Sequence, residues 1–563
     1  MCVLRFPLRL LLGGAWLAAV GCGSGGGSRG GGIQPLEAAE IRLGERLFRE
    51  TRFAQSFAAR VVGRALNDPL SGHDPVVDVV DAFGTPVPGP YAGRAMSCAA
   101  CHLSEELAAV AGAGVRAYCD FSSRSPTPDR GDGHARTARN TPPLRDAALP
   151  REIATFFHDD GEFETLEDLA GATLGGRNLG WQPTEHPAAV SHVARVVRED
   201  DGADANAADH GGGSYASVLS GQRGLAPDGA LLPVGLRADV ATATDDELLD
   251  AVSRLLGVYV RSLALAPDGG AARTVRSAYD VFVEKNGLPS KPGPGETSQA
   301  YAHRLRTALL AIASPLPVGP GDGVLRTHPH PFVFGELERR GLLVFLTAPG
   351  DLPPGPPPSG GVGSCAVCHA PPSFSDFGFH NVGASQVEYD AVHGLGAFSL
   401  LAVPSLATRS LDPNRYLPPS STHPLATGVF RSAPVLADPE ASDLGLWNVF
   451  ANPDVPGPQA ALRAVVLARL GLPATATDAE LLPQTIGWLK TPPLRDLGHS
   501  APYFHGGHVL TLLDAVQHYR AASLSARFGL VRNAALELSG IVLDVDDLSS
   551  LIAFLQSLDE DPP

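Results

Sequence analysis

Two hexapeptides carry the clearest chemistry in the chain. Residues 97–102 read SCAACH and residues 364–369 read SCAVCH. In each, two cysteines separated by two residues are followed at once by a histidine, the attachment spacing of c-type haem. Thiols one helical turn apart can form thioethers to the two vinyl groups of a single porphyrin. The adjacent histidine then lies under the iron and supplies an axial nitrogen. Cys98, Cys101 and His102 form one such set, and Cys365, Cys368 and His369 the other. The competing arrangement is one all-thiolate zinc site shared by the four cysteines, which leaves both histidines unexplained.

The elements that must position these motifs read as helices. Residues 37–49 predict an amphipathic helix with Ile41, Leu47 and Phe48 inward. Thr244 and Glu247 have the spacing of a capping box, and apolar residues follow at helical spacing from Leu248 to Leu263. Residues 273–284 and 299–313 predict further helices, and a last one starts near Asp547 with Leu548, Leu551, Ile552, Leu555 and Leu558 buried. Residues 121–134 and 351–363 are rich in Pro and Gly and predict loops. Strand-like alternation is scarce, so the fold class expected is mainly α.

The chain also repeats itself. TPPLRD stands at residues 141–146 and again at 491–496, each copy downstream of one CxxCH. Phe157-His158 matches Phe504-His505, and Thr165-Leu166 matches Thr511-Leu512. This is an internal duplication: two cytochrome c-like haem domains on one plan. The gap from motif to repeat is 39 residues in the first copy and 122 in the second, so the second carries a large insertion. The expected organisation is a signal peptide over 1–21, a flexible tether over 22–34, an N-terminal haem domain over 35–325 with a helical extension, and a C-terminal haem domain over 326–563.

The address is read from the first residues. Arg5 and Arg9 precede an apolar run too short to cross a bilayer, then Gly21-Cys22. Ala19-Val20-Gly21-Cys22 resembles a lipobox, which predicts a periplasmic protein lipid-anchored through Cys22; ordinary cleavage to a free periplasmic protein is the alternative. Of seven cysteines, only Cys119 is then left over. A net charge of −17 argues against a nucleic-acid partner and suits docking of a basic redox protein.

With these motifs in place, the chain resembles the bacterial di-haem cytochrome c peroxidases and the related MauG-type enzymes. The features that match are both CxxCH motifs, RNTP at 139–142, FHDDG at 157–161, FHNVG at 379–383 and APYFH at 501–505. The resemblance implies that the first haem reacts with peroxide and the second is a six-coordinate electron-transfer haem. It implies His102 and His369 as proximal ligands. In the peroxidase branch the second haem's other ligand is a methionine fourteen residues after the histidine of APYFH; here that residue is Tyr519. MauG-type enzymes place a tyrosinate there, a hard anionic donor that stabilises ferric iron. The alternatives are neighbouring His518 or water, with Tyr519 only packing.

The resemblance also implies a carboxylate acid/base over the first haem, and Gln182-Pro183-Thr184-Glu185 fits its motif. A buried carboxylate there can move the proton that peroxide cleavage needs; otherwise Glu185 is a solvent-facing residue at a helix start. His134 lies in the region of the distal histidine that caps the first haem at rest, or is a loop histidine. One calcium ion is implied between the domains, on the Asn140 side chain and the carbonyls of Ser500 and Pro502. The usual inter-haem tryptophan has no counterpart at Phe156-Phe157-His158; His158 and His505 would instead hold haem propionates or backbone. The expected activity is reduction of hydrogen peroxide to water with electrons from a small cytochrome c or other redox donor entering by the second haem. MauG-like oxidation of a protein or aromatic substrate is the second reading, and a di-haem electron carrier the non-enzyme one.

Overall fold

The structure is a computed structural model, and it describes residues 38–67, 96–102, 109–110, 114–115, 124–128, 130–134, 136–149, 155–264 and 276–561. The signal segment, the tether with Cys22, and Cys119 lie outside the described residues. The described chain is mainly helical; its strands are two to five residues long and pair only in twos. No described helix is long and apolar enough to cross a membrane.

In the first half, helix α1 (Ala39–Phe48) is followed by the first CxxCH and by strands β1 (Arg124–Pro126) and β2 (Arg136–Asn140). Then come α2 (Leu166–Leu174), α3 (His186–Glu199) and α4 (Asp245–Ser262). The capping box expected for α4 is present, with Thr244 and Glu247 each satisfying the other's backbone N–H. Leu43, Leu47 and Phe48 of α1 are buried, and Ile41 partly so. Arg42 and Arg46 are buried as well, which apolar periodicity does not predict. Arg46 is fully enclosed by Asp200 at 2.8 Å and by the Tyr215 ring, 3.9 Å from its guanidinium carbon. The pairing explains the burial, since an enclosed guanidinium without a carboxylate is costly.

In the second half, α5 (Ala278–Lys285) and α6 (Ser298–Ala311) precede α7 (Glu336–Leu346) and the second CxxCH. Strand β3 (Phe379–His380), α8 (Ala384–His393), α9 (Gln459–Leu470), β4 (Leu489–Lys490), α10 (Leu512–Arg527) and α11 (Val545–Gln556) follow. In α11, Leu548, Leu551 and Leu555 are buried as expected, as is Leu558 just past its end, while Ile552 is only partly so and Phe554 is fully buried. The antiparallel ladder β3–β4, Phe379 opposite Lys490 and His380 opposite Leu489, pins the two ends of the long insertion together. Between them the insertion builds its own core around Phe430, Trp447 and Leu462.

Glycine fixes the helix crossing in both halves. A Cβ on Gly44 of α1 would lie 2.4 Å from the Leu255 carbonyl oxygen of α4 and 2.8 Å from Tyr259 Cβ. A Cβ on Gly341 of α7 would lie 1.9 Å from the Ser550 carbonyl oxygen of α11 and 2.7 Å from Phe554 Cβ. The ring pairs beside these glycines match too: Phe48–Tyr259 and Phe345–Phe554 both have centroids 5.1 Å apart. Each crossing then ties to its TPPLRD copy, since Asp146 N donates to Leu263 O and Asp496 N to Leu558 O.

Two expectations are corrected. The stretch 121–134 is not all loop: Arg124–Pro126 pairs antiparallel with Arg136–Asn140. Its residues are polar, so apolar alternation gives no signal. Helices α5 and α6, on the first domain's side of the expected 325/326 boundary, pack in the second half's core. Phe282 stacks on Phe334 at 4.1 Å and Tyr279 meets Phe374 at 5.2 Å. By packing, the change of core falls between residues 264 and 276.

Candidate haem centres and the seam between them

Both CxxCH motifs form a single turn closed by the same bond. His102 N donates to Cys98 O at 2.8 Å, and His369 N donates to Cys365 O at 2.7 Å. None of the four thiols is in a disulfide. Burial pushes the Cys98 and Cys365 thiols up to about 12. In both histidines Nδ1 faces a backbone carbonyl oxygen: Pro142 O at 3.1 Å for His102 and Phe374 O at 2.9 Å for His369. A carbonyl only accepts, so Nδ1 carries the proton and Nε2 presents a lone pair, the tautomer an iron ligand requires. Burial also holds both imidazoles down, to about 4, so they stay neutral. These features fit haem, and Pro142 and Phe374 are positioning groups that spacing alone does not reveal. The split zinc alternative gives neither histidine a task.

Tyr519 lies on α10, packed at the edge of the second core. Burial, with the Cys368 and Cys365 thiols nearby, raises its hydroxyl's proton affinity. His518 does not compete through Nε2, which is 2.9 Å from Val382 O.

Glu185 sits at a helix start with both carboxylate oxygens engaged. Oε1 accepts from Arg130 Nη2 at 2.7 Å, and Oε2 accepts from Gln182 N at 2.8 Å. Its side chain is 28% exposed, so it is a held carboxylate at the rim of the first half rather than an enclosed one. His134 lies in the loop next to it. Its backbone is pinned, with the N–H donating to Asp132 Oδ1 and the carbonyl accepting from Arg177 Nη2 at 3.0 Å, while Arg177 grips Asp132 at 2.6 Å.

The seam between the halves is built from the duplicated segments, and here the sequence register shifts by one residue. His158 and Phe504 share a left-handed φ of 62°, and Gly161 and Gly507 follow with positive φ. Phe157 bridges Phe163 as Tyr503 bridges Val509. Thr165 and Thr511 both cap the next helix. The counterpart of His158 is therefore Phe504, and that of Asp159 is His505. In that register the halves exchange equivalent bonds. Asn140 N donates to His505 O at 2.6 Å, and Lys490 N donates to Asp159 O at 2.7 Å. Asn140 Nδ2 donates to Pro502 O at 2.7 Å, and Lys490 Nζ to Phe156 O at 3.1 Å.

Asn140 and Pro502 thus meet, while the Ser500 side chain bonds back to Asp496 O within its own turn. Asn140 Oδ1 is buried without a hydrogen-bond partner, and the amide's O and N are exchangeable by a flip. An oxygen of that kind next to a carbonyl fits a hard cation. Beside this pair lies an ionic cluster built on two buried aspartates, Asp160 and Asp443. Arg139 contacts Asp160 at 2.8 Å and Asp443 at 2.6 Å; Arg431 contacts Asp160 at 2.8 Å and Glu162 at 2.6 Å. Burial opposes ionisation of Glu162 and Asp443, yet Arg431 and His158 on one, and Arg139 and His505 on the other, outweigh it and hold both carboxyls well below their ordinary range.

His158 bonds Glu162 at 2.9 Å rather than backbone. His505 is buried, with Nδ1 unpartnered, and both ring nitrogens of His508 are buried and unpartnered next to it. His508 is a polar residue that the sequence reasoning does not single out; its only signal is its place three residues after APYFH.

No protein-family model matches the chain, and no curated protein sequence does. Solved structures similar to it include the diheme peroxidase BthA from Burkholderia thailandensis E264, at 17% identity and TM-score 0.42 over 93% of this chain and 86% of that one. A variant of that same peroxidase, with one tyrosine replaced by methionine, gives 17% identity and TM-score 0.41 over 92% and 86%. A MauG-like protein associated with microbial copper homeostasis gives 15% identity and TM-score 0.39 over 93% and 90%.

Proposed function

We propose that the chain is an exported di-haem c-type peroxidase that reduces hydrogen peroxide to two waters, taking up two electrons and two protons per turnover. The observation that carries this reading is the pair of CxxCH turns, each with its histidine Nδ1 tied to a carbonyl and Nε2 left as a ligand. Cys98, Cys101 and His102 would hold one haem, and Cys365, Cys368 and His369, together with Tyr519, would hold the other. Haem iron, when bound, supplies the redox chemistry. Glu185 holds and returns the proton at its carboxylate, oriented by Arg130 and Gln182 N. The electrons come from a small cytochrome c or another redox protein docking on the acidic surface, by way of the second site. Asn140, Ser500 and Pro502 hold one calcium ion at the seam. Cys22 anchors the mature chain to a periplasmic membrane face by its lipid.

A second reading is oxidation of a protein or aromatic substrate by peroxide, as in MauG-type enzymes, and Tyr519 at the methionine position favours it. One set of measurements tests both. Low-temperature EPR of the ferric protein should give one high-spin and one low-spin signal, with the low-spin signal altered in Tyr519→Phe. Peroxide turnover should be sustained by reduced cytochrome c under the first reading and by oxidation of a partner's Trp or Tyr under the second. A protein inert to peroxide in both iron oxidation states is an electron carrier instead, and two low-spin signals make His134 the residue to replace.

A further inference from the structure

We propose that Arg469, a residue of the insertion, sets the reduction potential of the haem held by Cys365, Cys368 and His369. The proposal rests on the reading of that CxxCH turn as a haem attachment. Arg469 stands in the last turn of α9, just before Gly471 closes the helix with a left-handed φ of 62°. The helix dipole favours a cation at that end. Its Nη2 uses both of its hydrogens: one bonds His380 Nδ1 at 2.6 Å and the other Glu537 Oε2 at 2.7 Å. His380 Nδ1 in turn lies 3.2 Å from Cys368 Sγ, the atom that stands for a thioether sulfur when the porphyrin is attached. A single ring nitrogen therefore separates the guanidinium from the covalent link.

The hydrogen bonds fix the charges. A guanidinium only donates, so His380 Nδ1 holds a lone pair and Nε2 carries the proton, which it gives to Asp376 Oδ2 at 2.8 Å. A Cβ on Gly378 would lie 2.9 Å from Asp376 Oδ2 and 3.1 Å from His380 Nε2, so glycine lets that pair close. Asp376 N donates to Cys368 O at 2.7 Å and ties the network to the attachment turn itself. The His380 side chain is 3% exposed, and those of Arg469, Glu537 and Asp376 are 23%, 26% and 29% exposed, so the charges act largely through protein rather than through water. They are felt at Cys368: burial raises its thiol most, Asp376 and Glu537 raise it further, and Arg469 opposes them.

A phenolate from Tyr519 would favour ferric iron and lower the potential, and two carboxylates beside Cys368 act in the same sense. Arg469 is the group of opposite sign in this network. It favours the ferrous state, so the second haem takes an electron from its donor more readily. The insertion that lengthens the second gap to 122 residues, against 39 in the first, thereby gains a role as the source of a tuning charge. The test is a potentiometric titration of the full-length di-haem protein, following the second haem by its visible and EPR signals. Arg469→Gln should shift the ferric/ferrous equilibrium about tenfold towards ferric, a fall of about 59 mV for one electron. Glu537→Gln should shift it by a similar factor towards ferrous, the double variant should return close to wild type, and Arg469→Lys should keep most of the wild-type potential. The first haem should not respond. An unmoved potential in Arg469→Gln overturns the proposal. So does a Glu537→Gln protein whose potential falls, because loosening that admits water would lower both single variants, whereas charge moves them in opposite directions. Should Arg469→Gln fail to fold, the sign of the Glu537→Gln shift decides. Protein whose mass shows no haem on Cys365 and Cys368 overturns the haem reading and this proposal with it; a di-haem protein with unmoved potentials overturns the role of Arg469 alone.

Discussion

Gly341→Ala places a methyl group where two helices touch. Its Cβ would stand 1.9 Å from the Ser550 carbonyl oxygen, whereas ordinary contact begins near 3.4 Å. The obstacle is backbone, so α7 must withdraw from α11 by about 1.5 Å, a change that strips dispersion contacts from the whole crossing. Overpacking of a close-packed core costs about 1–3 kcal/mol, and contact with backbone puts this case near the top of that range. For a cooperative unit of about 150–250 residues, about 3 kcal/mol lowers the thermal midpoint by roughly 6–12 °C. The displacement also reaches the haem motif. Gly363 N donates to Val344 O and Ser364 N to Thr347 O, both at 2.9 Å, so the end of α7 carries the residues just before Cys365. Calorimetry should therefore show the lower midpoint, and EPR should show a changed signal for the second haem with the first unaffected. Gly44→Ala, 2.4 Å from the Leu255 oxygen, should do the converse in the first half. Gly457→Ala, with open space around it, is the control. A Gly341→Ala protein that melts within about 2 °C of wild type with an unchanged spectrum would refute the crossing as the element that positions the second attachment turn.

Asp443→Ala removes one partner of a buried pair and leaves Arg139 short of a carboxylate; about 3–5 kcal/mol of stability should be lost, read from the urea midpoint. Glu162 and Asp443 have folded-state pKa values depressed from 4.5 and 3.8, so their contribution is present above those unfolded values and is lost as pH falls below them towards the folded ones. Acid melts should show that loss beginning below about pH 4.5, less steeply in Asp443→Ala. Glu185→Gln keeps an oxygen for the Gln182 N–H but not the exchangeable proton, so peroxide turnover should fall by about 10²–10⁴ with the ferric spectrum unchanged. Asn140→Lys puts an ammonium where the proposed calcium would lie, and stability of the variant should no longer respond to chelator, whereas wild type should be destabilised by it.

How much of this is legible in the sequence follows from the kind of signal each feature leaves. The CxxCH spacing, the capping box at Thr244 and the apolar period of α4 are local, and all three appear in the structure. The TPPLRD repeat is local too, and it marks equivalent turns: Asp146 and Asp496 share left-handed φ values of 57° and 59°. Matching Phe157-His158 to Phe504-His505 by identity is off by one residue, because the fold conserves the φ > 0 position and the helix cap rather than the aromatic-histidine pair. The helix-crossing glycines Gly44 and Gly341 escape notice, since a lone glycine inside a helix pattern reads as a weakness until its partner helix is known. A boundary near 325 is misplaced for a similar reason: α5 and α6 are amphipathic in sequence, but which core they face depends on packing. Arg42 and Arg46 could not be read as buried, because their carboxylate partners Asp228 and Asp200 are far away in sequence.

The seam gives the duplication its functional sense. Backbone donors at Asn140 and Lys490 reach carbonyls at His505 and Asp159, equivalent positions of opposite halves, so the halves are related by a local two-fold exchange. At one end of that exchange Lys490 puts an ammonium beside Phe156 O; at the other, an amide with a buried unpartnered oxygen stands beside Pro502 O. The equivalent carbonyls are thus met by an ammonium on one side and by a neutral amide N–H on the other. A carbonyl favours positive charge beside it, so the Asn140 end, which lacks an ammonium of its own, is where the proposed calcium would act. Asn140 immediately precedes the first TPPLRD turn, and Pro142 in that turn orients His102, so tightening the Asn140 end of the seam acts on backbone two residues from the carbonyl that His102 bonds.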